Sequence, residues 1–237
     1  MGLYYFLYIL SFIAIGFTLF TSFYVNSSFD KYSKNESKSQ LSGKDVARRI
    51  LDSNGLHNVY IGVQSGKLSD HFISSQNVIN LSEEVYYGTG IAAHAVAAHE
   101  CGHALQFKDG NFFMKIKSFI FPAVIFSTKY AFTLFTIGMI LSSFSYKISN
   151  TVMFFSIIAY LFCVIFQVVT LPIEIEASER AKKELVRLNI LDNDEKKIAS
   201  KVLFAAALTY VAGLTVTLIE FLKLLVIFLN NRNRDRD

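Results

Sequence analysis

Residues 97–105 read AAHECGHAL, and the rest of the chain is best interpreted outward from this stretch. His99 and His103 stand four positions apart in an alanine-rich run that favours helix, and residues at i and i+4 share one helix face. The two imidazoles can therefore bind one metal ion together, with Glu100 beside them as a general base toward water. A catalytic zinc site needs a third protein ligand, which must come from elsewhere in the chain.

The composition indicates a membrane protein. Of the 237 residues, 52% are hydrophobic and 23 are Phe, and the mean hydropathy is +0.38, which predicts several membrane-embedded helices. We therefore expect a lipid bilayer around the chain. The net charge of +4 comes without a basic cluster, so we expect no nucleic-acid partner. The two cysteines are not placed like a disulfide framework.

Four apolar runs divide the chain, and each is long enough to cross a bilayer. They cover residues 3–25, 118–146, 151–171 and 202–229. We expect Pro172 to kink or end the third run, because proline lacks a backbone donor. The predicted segments are an N-terminal anchor (1–25), a catalytic unit (26–117) that opens with a polar linker (26–41), a two-span hairpin (118–172), a third-ligand helix and connector (173–201), a fourth membrane helix (202–229) and a disordered polar tail (230–237).

A small mixed unit is predicted before the motif helix. Ser42 with Asp45 is typical of a capping box at a helix start. Short β-like runs follow at residues 57–63, 71–73 and 77–81. The predicted fold class is thus a mainly α membrane protein with about four transmembrane helices and a small zincin-like α+β unit at the membrane face. An edge strand of the sheet could pair with an extended substrate, or the sheet could only pack on the motif helix.

The distribution of Lys and Arg predicts an orientation. Residues 26–117 contain ten of them and residues 174–201 contain seven. The opposite loop carries Lys147, and three Arg of the C-terminal tail fall on that side too. By the positive-inside rule we expect a multi-pass protein of the cell membrane with its N-terminus outside and the motif at the cytoplasmic face.

An acid after the third span is the favoured third metal ligand. Glu174 lies 71 residues after His103, and two intervening spans return the chain to the same membrane face. A carboxylate at the mouth of a span is costly unless it has a partner such as a metal ion. Glu176 and Glu179 are less favoured alternatives. On an ideal helix His94 points away from the face of His99.

Other polar residues have weaker assignments. Tyr210 and His71 are candidates to stabilise an oxyanion, although an interfacial anchor for Tyr210 and an ordinary strand histidine for His71 are the favoured roles. Cys101 is expected to be packing rather than a ligand. Lys129 is expected to snorkel or to lie in a short interfacial stretch before the true span, and Glu220 with Lys223 can form an i, i+3 pair.

Four segments together resemble the bacterial YugP-like neutral zinc metallopeptidases: residues 81–88 (LSEEVYYG), 97–106 (AAHECGHALQ), 174–181 (EIEASERA) and 205–212 (AAALTYVA). A more distant resemblance is to membrane proteases of the HtpX and CAAX prenyl endopeptidase type. The resemblance implies that His99, His103 and Glu174 hold one zinc ion per chain and that Glu100 is the catalytic base. The distant relatives carry Asp four residues after the third ligand, where this chain has Ser178, which could orient a histidine only through its hydroxyl.

These features together predict a zinc-dependent membrane endopeptidase. We expect its substrate to be a protein or peptide, one associated with the membrane by the resemblance. The alternative is a catalytically inactive scaffold that keeps the zinc site. A transporter that uses Lys129, Glu220 and Lys223 is disfavoured by too few spans and by the lack of an inverted repeat.

Overall fold

The computed structural model describes residues 2–234. It contains seven helices and three strands within that range: α1 Gly2–Ser33, α2 Gly43–Ser53, β1 Tyr60–Gln64, β2 His71–Ile73, β3 Val78–Ser82, α3 Glu83–Tyr86, α4 Ile91–Lys108, α5 Phe112–Leu141, α6 Tyr146–Arg187 and α7 Asn193–Arg234. Four of these helices, α1, α5, α6 and α7, are long and apolar enough to cross a membrane. The prediction of a mainly α membrane protein with a small sheet is confirmed.

Two compact units make up the chain. One contains residues 21–114 and 172–209, and we call it the motif unit because it includes α4. The other contains residues up to 20, residues 115–171 and residues from 210 onward, and we call it the membrane-helix unit. Helices α1, α6 and α7 each contribute residues to both units.

The long helices extend past three of the predicted boundaries: residues 26–33 and 230–234 are helical where a linker and a disordered tail were predicted, and Pro172 does not end its helix. Helix α1 continues to Ser33 through the first half of the expected linker. Phe29, 1% exposed, lies in the core of the motif unit, and the Ser33 hydroxyl donates to the Phe29 carbonyl. The burial of Phe29 supports a helix that the polar sequence alone does not favour.

Helix α6 passes through Pro172 without a break. The residues that follow are strong helix formers, and Glu176 pairs with Arg180 one turn later at 2.8 Å. Helix α7 likewise runs from the expected connector to Arg234 as one element. Asn231, in the expected tail, donates to Ser149 and Asn150, while residues 235–237 lie outside the described residues.

The small sheet and the helix before it agree with the predictions. Ser42 and Asp45 form the capping box at the start of α2. Strand β3 is central: β1 pairs with it in parallel and β2 in antiparallel register. Strands β1 and β2 are therefore the two edges, and β2 lies against α4.

Helix α4 is the centre of the motif unit, and 13 of its 18 residues are buried. Its alanines let neighbouring elements approach closely, and α2 covers it with Val46, Ile50 and Leu51, which are all fully buried. Gly102 allows a close approach to α6, because a β-carbon there would lie 2.5 Å from the carbonyl oxygen of Ala177. Only glycine allows α4 and α6 to pack at this separation.

The in-membrane charges pair within the membrane-helix unit. Lys223 lies 2.8 Å from Glu220, as the i, i+3 spacing predicts, and Ser11 of α1 donates to the same carboxylate at 3.4 Å. The Lys129 ammonium is exposed and lies 5.1 Å from the centre of the Tyr130 ring. Glu220 and Lys223 thus neutralise each other.

Substituting Gly102→Ala is expected to destabilise the motif unit by about 1–3 kcal/mol, because the added methyl group forces α4 away from α6. Thermal unfolding of the purified protein in detergent measures this effect. Gly16→Ala is the matched control, since nothing lies within 4 Å of a β-carbon at position 16, and we expect no loss there. Equal midpoints for the two variants would contradict the close approach of the helices.

Candidate metal centre

Helix α4 places His99 and His103 side by side. Their ring centroids are 4.7 Å apart, and each side chain is 14% exposed. The spacing of one helical turn produces this arrangement, as the i, i+4 pattern predicts. Both rings keep a small access to solvent while their surroundings are buried.

Glu174 of α6 completes a group of three ligand atoms. Its Oε2 lies 3.2 Å from Nε2 of His99 and 3.4 Å from Nε2 of His103, and its side chain is 5% exposed. The three atoms all lie within 4.8 Å of one another. The structure therefore brings the favoured third carboxylate to the motif across 75 residues of sequence from His99.

The donor set and its distances fit a zinc ion. Two nitrogens and one carboxylate oxygen are the ligands of many catalytic zinc sites. Two ligands held about 2.1 Å from an ion at the tetrahedral angle lie about 3.4 Å apart. The observed separations of 3.2 and 3.4 Å match this spacing.

The second nitrogen of each histidine has its own partner. Nδ1 of His99 lies 3.1 Å from the hydroxyl of Ser178, and Nδ1 of His103 lies 3.0 Å from Oε1 of Gln106. Both rings thus direct Nε2 toward Glu174. Ser178 therefore contacts His99 through its hydroxyl. The contact of Gln106 with His103 was not predicted. The signal for it was a polar residue three positions after His103 in an apolar helix.

Glu100 is buried beside the two histidines, with 6% exposure. Burial raises the pKa of its carboxyl group, while the charges of His103 and His99 oppose this shift. Burial alone lowers the pKa of the His103 imidazole, but its hydrogen bond with Glu174 and the charge of Glu100 raise it above its usual value. The groups around the candidate centre are thus electrostatically coupled.

The alternative third ligands are engaged elsewhere. Glu176 accepts hydrogen bonds from Gln106, Asn111 and Arg180. Glu179 is 56% exposed and pairs with Lys182 at 2.6 Å. Neither acid belongs to the group formed by His99, His103 and Glu174 among the described residues.

Two further side chains that could bind a metal, Cys101 and His94, also have other partners. Cys101 is fully buried, and its thiol donates to the carbonyl of Ala47 at 3.6 Å. Burial raises the pKa of this thiol well above its usual value, which disfavours a thiolate ligand. His94 is fully buried and hydrogen-bonds to the carbonyl of Leu41.

The two oxyanion candidates have different positions. Nδ1 of His71 lies 2.8 Å from the carbonyl of Ser69, and its Nε2 lies 3.2 Å from Nδ2 of Asn80. Both ring nitrogens are therefore engaged within the β2–β3 region. Tyr210 lies on α7 in the membrane-helix unit.

Comparisons with known proteins agree with the chemistry of this site. Residues 6–229 match the family described as "putative neutral zinc metallopeptidase". The chain belongs to this family. It is 43% identical over 222 residues to the "putative membrane protease YugP" of Bacillus subtilis (strain 168), a match that covers 94% of this chain and 96% of the relative. No solved structure gives a significant match to the chain.

Membership of the metallopeptidase family implies zinc and supports a protease function. The relative is named as a membrane protease, and the four apolar helices support a multi-pass membrane protein. The resemblance inferred from the four sequence segments is thereby confirmed. The group of His99, His103 and Glu174 is the place in the structure where the residues suit the metal that the family name implies.

Replacing Glu174 with alanine is expected to weaken zinc binding by more than the roughly 10–100-fold typical for loss of a group that only supports a ligand. The measurement is a zinc titration of metal-stripped protein in detergent against a competing chelator. Glu179→Ala removes an acid five residues further along α6 and should bind zinc as the wild type does. Retention of wild-type affinity by Glu174→Ala would show that the third ligand is another group.

Proposed function

We propose that this protein is a zinc-dependent endopeptidase of the membrane. The convergence of Nε2 of His99, Nε2 of His103 and Oε2 of Glu174, with Glu100 adjacent, is the observation that carries the proposal. Family membership supports proteolysis in general. The finer assignment rests on the residues of the site.

In this proposal His99, His103 and Glu174 hold one zinc ion per chain. Zinc bound there supplies a Lewis acid that polarises the scissile carbonyl and lowers the pKa of water toward 7. A centre held by three protein side chains would keep a position for water, as hydrolytic sites require. Ser178 holds the ring of His99 through its hydroxyl, the role that a carboxylate has at many zinc-binding histidines.

Glu100 acts as the general base and then as the general acid. Its carboxylate oxygen takes a proton from the water whose oxygen attacks the carbonyl carbon. It then gives that proton to the amine nitrogen as the C–N bond breaks, so the proton count balances over the cycle. Its burial beside the histidines keeps bulk water away from this transfer.

The oxyanion that forms during attack needs a further donor. His71 is a weak candidate, since its two ring nitrogens already have partners in the sheet region. Tyr210 stays a candidate predicted from the sequence.

We propose substrates that are proteins or peptides associated with the membrane. Glu174 comes three residues after the end of the third apolar run. The proposed ligand is therefore close in sequence to a membrane-spanning segment. The Bacillus relative is itself named as a membrane protease.

The variant Glu100→Gln tests the chemistry. It should retain zinc, because Glu100 is not a ligand, and should lose about 10²–10⁴-fold in the rate of chelator-sensitive cleavage of casein or a model peptide. Metal analysis and the cleavage assay are made on the same preparation. Glu84→Gln makes the same chemical change at an exposed position of α3 and should cleave normally.

Two outcomes would overturn this mechanism. Cleavage by Glu100→Gln at the wild-type rate would contradict the assignment of Glu100 as the general base. Zinc-loaded wild-type protein that cleaves no protein or peptide would instead favour the inactive zinc-binding scaffold.

We also propose that the motif unit faces the cytoplasm and the N-terminus lies outside. The charge distribution supports this orientation. The single variants Ser65→Cys, in the motif unit, and Ser143→Cys, between α5 and α6, introduce a thiol at an exposed position, whereas the native cysteines are buried. Labelling with a membrane-impermeant maleimide should modify Ser143→Cys in intact spheroplasts and Ser65→Cys only after permeabilisation. The reverse pattern would invert the topology.

A further inference from the structure

Gln106 is a polar side chain in the middle of an apolar environment. It lies on α4 one turn after His103 and is fully buried. A buried amide without hydrogen bonds costs several kcal/mol in an apolar medium, roughly 2–7 kcal/mol. The partners of this amide therefore reveal what keeps it in the core.

Two acceptors determine which way the Gln106 amide faces. Its Nε2 lies 2.9 Å from the backbone carbonyl of Ile173 and 3.2 Å from Oε2 of Glu176. A carbonyl and a carboxylate only accept, so the amino group must face both of them. The amide oxygen consequently faces Nδ1 of His103 at 3.0 Å.

This orientation selects one tautomer of His103. The amide oxygen of Gln106 can only accept a hydrogen bond, so Nδ1 of His103 must carry the proton. In the neutral ring Nε2 then keeps its lone pair, and Nε2 is the atom 3.4 Å from Oε2 of Glu174. A histidine with this tautomer presents a metal-binding nitrogen toward the candidate centre.

Glu176 is itself held firmly in place. Its Oε2 accepts from Nδ2 of Asn111 at 2.5 Å, and its Oε1 accepts from Nε of Arg180 at 2.9 Å. Arg180 also bonds to Asp109 at the end of α4, at 2.5 Å. The chain of contacts behind Gln106 thus joins the C-terminal end of α4 to α6.

We propose that Gln106 is a positioning residue that fixes the tautomer and ring orientation of His103 for metal binding, and that Glu176 fixes the amide of Gln106. This inference rests on the proposed zinc site. It assigns to Glu176 the role of orienting Gln106, which in turn orients His103, and not the role of a metal ligand.

The first test is Gln106→Leu, which keeps a side chain of similar size and removes both hydrogen-bonding functions. We expect the zinc dissociation constant to rise about 10–100-fold, as when the partner of a ligating histidine is removed. The visible absorption of the Co²⁺-substituted protein should also change, because the ring of His103 is no longer held. Gln76→Leu, the same change at an exposed position, should leave both readouts at wild-type values.

An exchange of side chains separates positioning from simple packing. Gln106→Glu alone sets two carboxylates against each other and should weaken zinc binding. The double variant Gln106→Glu, Glu176→Gln restores a donor and an acceptor between the two positions and leaves an acceptor for Nδ1 of His103, while the carbonyl of Ile173 loses its donor. We expect it to recover part of the affinity lost in Gln106→Glu, and this comparison carries the test if Gln106→Leu does not fold.

Wild-type zinc affinity and Co²⁺ spectrum in folded Gln106→Leu would overturn the positioning role while leaving the zinc site intact. Equal affinity of the single Gln106→Glu and the double variant would likewise overturn the role of Glu176. A wild-type protein that binds no zinc would instead defeat the proposed function itself, so the two failures are distinguishable.

Discussion

The central constraint on this molecule is the placement of one carboxylate against two imidazoles. Glu174 has to reach within 3.4 Å of both motif histidines although it lies on a different helix. A carboxylate with 5% exposure is costly to bury without a partner. The position of this carboxylate beside the Nε2 atoms of both histidines is thus physically reasonable only where its charge is compensated, by protonated histidine or by a metal ion.

The packing of α4 on α6 makes that placement possible. Gly102 lets the backbone of Ala177 approach to a distance that any side chain would prevent. Glu174 and Ser178 lie one turn apart on α6, so that one contacts Nε2 and the other Nδ1 of His99. Gln106 reaches Nδ1 of His103 from α4 itself. The candidate ligands and the side chains that contact them therefore come from α4 and α6 among the described residues.

Much of this site could be predicted from the sequence because helix periodicity fixes local neighbours. The pairing of His99 with His103 follows from a spacing of four, and the capping box at Ser42 is likewise local. Choosing Glu174 needed a count of membrane crossings. Gln106 was missed because its meaning depends on Ile173 and Glu176, which are distant in sequence.

The helix ends were predicted less well, for a related reason. Polar residues suggested a linker after residue 25 and a disordered tail from residue 230. Burial of Phe29 and the hydrogen bonds of Asn231 keep both segments helical, at least to Arg234. Such tertiary support leaves no trace in local hydropathy, whereas the apolar runs themselves were sufficient to predict four spans.

The most direct measurement of the central claim is X-ray absorption at the zinc edge of the purified, zinc-loaded protein. We predict only nitrogen and oxygen neighbours at about 2.0–2.2 Å, two of them with the multiple-scattering signature of imidazole. A sulfur neighbour at about 2.3 Å would identify Cys101 or Cys163 as a ligand. That result, or the lack of a second imidazole, would contradict a centre made by His99, His103 and Glu174.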